Sequence, residues 1–401
     1  MPRASLLAAL ASLTALALAA ACGTTPVAPA LDAAPPDASD AAGGPTDAAA
    51  STDAADATDA APRPDASDSA APFDAGLGAP ITAPPGVWTW VDFPDAKCDD
   101  GSSTGVGVNL APGATKSLVF LNGGGACADY STCYVLNTAT HGPFGAAQLA
   151  SLTGALSGSA LDRDDAQNPF RDYNLVVVPY CTGDLHAGSN VATYTGDGTM
   201  RTYHHVGRDN MIAYLKRLTP TFSATTELVL AGASAGGFGA TLNHDLVRRY
   251  FPSVILSVID DSGPLFVGDA VPPALRAAWG SAWRLDATLG ALCPACAGDL
   301  SALYGVLAAK YPNDRSALLS SLGDSTMRTY LFKDAAQYEA SVRELAGALA
   351  PRPQYRTFLV PGASHTMLGR PASFTSGGVE LRAWLTQMVT RDPAWASQAP
   401  P

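Results

Sequence analysis

The segment LVLAGASAGGFGATLNHDL, residues 228–246, constrains this chain more than any other. A buried apolar run leads straight into Gly232-Ala233-Ser234-Ala235-Gly236, and a helical pattern leaves it. A serine on so sharp a turn holds a strained backbone, and only small neighbours leave room for that conformation. With 38 Gly in 401 residues the bare G-x-S-x-G pattern is weak evidence. The strand before it and the helix after it make it specific. Ser234 is therefore the candidate nucleophile, raised above the end of a parallel sheet.

The rest of the chain from Gly86 onward agrees with such a sheet. Short runs rich in β-branched residues occur at 117–121, 174–178, 227–231, 254–259 and 355–360, each suited to a strand buried on both faces. Helical patterns lie between or after them at 205–218, 235–250, 334–350 and 377–391, while WTWVDF at 88–93 reads as an antiparallel strand that opens the sheet. Strands alternating with helices predict an α/β fold, a doubly wound, mostly parallel sheet of the α/β-hydrolase kind. A Pro- and Cys-containing insertion around 264–313 is a candidate cap over the site.

A serine nucleophile needs a base, and in this fold the base follows the last strand in the chain order Ser, acid, His. Of six histidines only His365 lies beyond residue 244, in a loop after the apolar run of RTFLVPGASHTML. The acid must lie between them. Asp324, after a short apolar run, and Asp260 or Asp261, after the strand that follows the nucleophile, qualify equally by pattern. Donors for an oxyanion are expected from the main chain of Ala235 and from the glycine run of LVFLNGGGAC. That run lacks the Lys and Ser/Thr of a phosphate loop.

The N-terminus has a different character. One positive charge at Arg3, an apolar run and small residues leading to Cys22 read as a secretory signal, and LAAAC resembles a lipoprotein processing site that would leave Cys22 acylated. This assigns residues 1–22 to the leader. Residues 23–80, built from Ala, Asp, Pro, Thr and Ser, read as a disordered linker with ten Asp against one Arg63. The linker carries −9 of the net charge of −12, so residues 81–401 form a domain of ordinary charge, and nothing basic invites nucleic acid. Six further cysteines in an exported chain favour disulfides. Cys127 with Cys133 and Cys293 with Cys296 are local pairs, which leaves Cys98 for Cys181. CPAC lacks the second C-x-x-C or adjacent His that a zinc site would need, so no metal is expected.

Six motifs in one order, FLNGGGAC, NPFRDYNLVVVPYCTGDLHAG, GASAGG, DDSG, LGDS and GASHTM, resemble the pectin acetylesterase family of Notum-like serine carboxylesterases. The resemblance, from about residue 86 to 390, implies Ser234 as nucleophile, Asp324 as acid, His365 as base, and Gly124, Gly125 and Ala235 as oxyanion donors. It also supports the Cys127–Cys133 pair and, more loosely, Cys98–Cys181. Asp184 and His186 fall on a loop that the family holds near the catalytic centre, either to contact substrate or to shape the loop. The residue before Cys127 is commonly aromatic in the family and here is Ala126, which predicts a more open pocket wall.

The expected protein is an exported, monomeric serine carboxylesterase, lipid-anchored to the outer membrane through Cys22. It would remove acetyl or short acyl groups from a carbohydrate polymer or small ester without a cofactor. A lipid or polyester hydrolase on the same residues, or a glycan-binding lipoprotein with little chemistry, are the rival readings.

Overall fold

The computed structural model describes residues 76–401. The expected leader, Cys22 and the linker as far as residue 75 lie outside the described residues. Residues 76–80, expected as linker, include Gly78, whose N–H donates to the Lys216 carbonyl, and the next residue, Ile81, is buried with its N–H on Thr221 Oγ1.

Eight strands form one sheet: β1 (Thr89–Lys97), β2 (Ser103–Asn109), β3 (Lys116–Leu121), β4 (Asn174–Val178), β7 (Glu227–Ala233), β8 (Ile255–Asp261), β9 (Arg315–Ser321) and β10 (Tyr355–Val360). Their spatial order is β1-β2-β4-β3-β7-β8-β9-β10. β1 and β2 are antiparallel, β2 meets β4 antiparallel, and all other pairings are parallel. The sequence explains the parallel part. In NLVVV of β4 every side chain is buried, with Leu175 and Val177 packing in one core and Val176 and Val178 in another. Helices on both faces make that double burial possible. A separate hairpin, β5 (Asn190–Gly196) and β6 (Thr199–His205), turns at Asp197-Gly198 with φ of 44° and 79°.

The helices are α1 (Ala146–Thr153), α2 (Gly207–Thr221), α3 (Ala235–Leu242), α4 (His244–Tyr250), α5 (Pro273–Trp283), α6 (Leu285–Leu289), α7 (Ala302–Lys310), α8 (Ser325–Tyr330), α9 (Ala335–Leu349) and α10 (Leu381–Val389). The single helix expected over 235–250 is two, broken at Asn243, whose amide donates to the carbonyls of Gly239 and His186. The insertion between β8 and β9 holds α5, α6 and α7 and shares a core with the residues around the elbow. It is the cap. Among the described residues no helix is long and apolar enough to cross a membrane.

Candidate active site

β7 ends in the elbow. Ser234 has φ 60° and ψ −122°, a conformation L-residues avoid, and its N–H donates to the Asp261 carbonyl of β8 at 2.7 Å. The Ser234 carbonyl accepts the N–H of Gly237 at 2.8 Å and of Phe238 at 3.2 Å, which ties the strained residue to the first turn of α3. Gly123 packs against this turn from the end of β3. A Cβ there would lie 2.5 Å from the Ala233 carbonyl oxygen and 2.9 Å from Ser234 Cβ, so only glycine permits the approach.

The glycine run then bends. Gly125 adopts φ 77°, and an isolated antiparallel bridge to Ala139 engages the Gly124 carbonyl, which accepts from Thr140, and the Ala126 N–H, which donates to Thr138. The Gly125 carbonyl accepts the Tyr180 hydroxyl at 2.8 Å. With these carbonyls occupied, the N–H groups of Gly124 and Gly125 have no hydrogen-bond partner among the described residues. The N–H of Ala235 is the first of its helix and has none either. These three groups are free to donate to a ligand oxygen.

His365 lies in the loop after β10. Its Nδ1 is 2.8 Å from Asp324 Oδ2, and because a carboxylate only accepts, the proton sits on Nδ1 and leaves Nε2 as the basic nitrogen. Asp324 is fully buried and also caps α8, its Oδ1 accepting the Met327 N–H at 3.0 Å. The other two carboxylates weighed as the acid are engaged elsewhere. Asp260 accepts from Gly263 N–H and Thr241 Oγ1, and burial pushes its pKa up to about 7. Asp261 Oδ2 accepts the N–H groups of Met367 and Leu368, each at 2.7 Å, and burial pushes its pKa up to about 6. Asp261 thus joins the two loops: its carbonyl holds the elbow and its carboxylate holds the backbone just after His365. No hydrogen bond links Ser234 Oγ to His365 in this structure, a bond that often tightens only when substrate binds.

Asp184 and His186 belong to the scaffold. The buried Asp184 carboxylate accepts from Thr182 Oγ1 and from the N–H groups of His186 and Gly207, and burial raises its pKa to about 6. His186, also buried, donates Nε2–H to the Asn122 carbonyl at 2.9 Å, and burial pushes its pKa down to about 4. It therefore steadies the residue that precedes the glycine run. Disulfides join Cys98 to Cys181, Cys127 to Cys133 and Cys293 to Cys296. Cys127, Cys133 and His205 lie close together, but the sulfurs are bonded to each other, and the histidine nitrogens are bonded to the Thr182 carbonyl and the Tyr194 hydroxyl. No donor there is left for a metal.

The wall expected to be open at Ala126 is backed by side chains from elsewhere in the chain. Ala126 lines a cavity of about 20 Å³ beside Ser234, filled in by Leu185, Phe238, Trp279, Met327 and Tyr330. These wall residues come from four segments, and no single stretch of sequence announces them. Larger cavities of about 540 and 550 Å³ lie away from the serine, one within the cap and one along α2.

The model of the family described as pectinacetylesterase matches residues 89–286. Over this stretch, just under half of its length, the chain is similar to the pectin acetylesterase family. It is 33% identical over 167 residues to the palmitoleoyl-protein carboxylesterase NOTUM of Schmidtea mediterranea, covering 39% of this chain and 30% of that protein. It is 31% identical to notum1 of Xenopus laevis (41% of this chain, 34% of that one) and 28% identical to human NOTUM (41% and 34%). The matched segments span about a third of the length of these relatives. The solved structure of the Wnt deacylase Notum from Drosophila aligns over 78% of this chain and 96% of that one, with a TM-score of 0.56 at 18% identity, a likeness of fold.

Proposed function

We propose that this protein is a serine carboxylesterase that removes acetyl or other short acyl groups from a carbohydrate polymer or small ester. The observation that carries the reading is a strained Ser234 beside a small apolar cavity that Gly125 and Ala235, with their unpaired N–H groups, also line, while the carboxylate-held His365 sits in a loop tied to the same elbow through Asp261. In this reading His365 Nε2 takes the proton of Ser234 Oγ as that oxygen attacks the ester carbonyl. The developing oxyanion accepts from the N–H groups of Gly124, Gly125 and Ala235, which no other group in the fold occupies. Asp324 keeps His365 in the required tautomer and stabilises the imidazolium. His365 then protonates the leaving alcohol, and water, deprotonated by the same nitrogen, releases the acid from the acyl-enzyme.

The size of the cavity favours short acyl groups. At about 20 Å³ it holds little more than one water molecule or methyl group. The relatives named palmitoleoyl-protein carboxylesterases keep the long-chain reading in view. Export on a lipidated Cys22, with the residues from 23 to about 75 as a tether, would place the enzyme where extracellular polymers are reached.

Hydrolysis of p-nitrophenyl esters from acetate to palmitate by the full chain and by Ser234→Ala tests the proposal. Activity greatest at acetate and lost in the variant is expected. A Ser234→Ala protein that turns over at the wild-type rate overturns the serine mechanism, and a wild-type optimum beyond butyrate overturns the short-acyl assignment.

A further inference from the structure

We infer that Trp279 of the cap sets the upper limit of acyl length, a specificity role that rests on the esterase reading above. Of the residues around the cavity at Ser234, Trp279 alone comes from the insertion between β8 and β9. Its indole is buried and lines the same small cavity as Ala126, whose side chain is only a methyl group.

The position of that indole is fixed by its neighbours. Trp279 and Trp283 are one helical turn apart on α5 and stack with centroids 5.1 Å apart and planes 15° from parallel. Trp283 is fully buried, and its indole N–H donates to the Cys127 carbonyl at 2.9 Å. Cys127 is two residues from Gly125 and is held in turn by its disulfide to Cys133 and by its N–H on the Gly183 carbonyl. The cap helix is thereby fastened to the loop that carries the oxyanion donors. Phe238 on α3 also meets Trp279, edge to face at 6.5 Å. An acyl chain growing from the carbonyl carbon therefore meets an aromatic ring braced by two aromatic neighbours.

The other walls have further duties. Met327 supplies the N–H that Asp324 caps, the Tyr330 hydroxyl donates to the Thr138 carbonyl, and Phe238 lies in the first turn after the nucleophile. Trp279 is the wall whose removal enlarges the cavity while leaving the Asp324 cap on Met327 and the Tyr330 hydrogen bond in place.

The test compares kcat/KM on p-nitrophenyl octanoate and acetate for the full-length wild type, Trp279→Ala and Trp279→Leu. Each methylene that finds a newly opened apolar contact is worth about fourfold, from about 0.8 kcal/mol per buried CH2. The octanoate-to-acetate ratio is expected to rise at least about tenfold in Trp279→Ala, and less in Trp279→Leu, which keeps an apolar contact with Trp283 should the smaller residue not fold. A ratio unchanged in a folded variant, with the wild type active on acetate, overturns the role of Trp279 alone. A wild type without Ser234-dependent hydrolysis overturns the esterase reading, and the inference falls with it.

Discussion

Both carboxylate oxygens of Asp324 are occupied, one by His365 Nδ1 and one by the Met327 N–H, so its two roles separate under mutation. Asp324→Asn keeps an acceptor for the helix cap but sets an amide donor against the ring, the exchange that costs serine hydrolases about 10⁴ in kcat through the wrong tautomer. A loss of about that size, with an almost unchanged urea midpoint, is expected. Asp324→Ala should lose the cap as well, about 1 kcal/mol of stability. Asp261→Asn retains an oxygen that can accept both the Met367 and Leu368 N–H groups, so it should keep most of its turnover on p-nitrophenyl acetate. A loss as deep as that of Asp324→Asn would return Asp261 to the role of acid. Tyr180→Phe removes the hydroxyl that donates to the Gly125 carbonyl and leaves the Leu185 N–H that it accepts unpaired and buried. The variant should lose about 1–3 kcal/mol of stability and also kcat, since the Gly125 N–H proposed as an oxyanion donor is no longer fixed.

What the sequence discloses about the elements follows from how local each signal is. The elbow is legible because strand, turn and helix are contiguous over residues 228–246, and His365 because no other histidine follows residue 244. Asp324 is not, since its partner lies 41 residues away and carboxylates at three positions look alike in sequence. β9 escapes because RSALLSS carries serines at buried positions Ser320 and Ser321, where a strand pattern leads one to expect apolar side chains. β2 escapes because its register with β1 brings Gly105 and Gly107 into the strand, and glycine reads as a breaker. The β5–β6 hairpin did carry a signal, the Asp197-Gly198 pair between alternating residues. The three bridges also differ as elements. Cys98–Cys181 spans 83 residues and Cys293–Cys296 only 3. Replacing both cysteines by serine should cost about 4.5 kcal/mol at the first and about a third of that at the second, read from denaturant unfolding under non-reducing conditions.

In the molecule as a whole, three buried aspartates at the heart of the scaffold share one electrostatic tendency. Burial raises Asp184 to about 6, Asp260 to about 7 and Asp261 to about 6, all above the unfolded value of 3.8. Such groups bind protons more tightly when folded, so their contribution is fully present below pH 4 and is lost as pH rises through about 6–7. Asp260→Asn, which removes one of these titrations, should flatten the fall in melting temperature between pH 4 and 7.5 relative to the wild type. A slope identical to that of the wild type would show that Asp260 is charged in the fold across this range. The same core unites the site, because the elbow, the histidine loop and the cap all rest on β8, its Asp260 and Asp261, and the loop that leaves it. The central claim is that Ser234 forms an acyl-enzyme, and its most direct test is mass spectrometry of the full chain quenched during turnover of p-nitrophenyl acetate. The account predicts one acetyl group on the peptide containing Ser234, accumulating in His365→Ala only slowly and absent from Ser234→Ala. Continued turnover in Ser234→Ala, or an acetyl group carried on another residue that accounts for the rate, would contradict it.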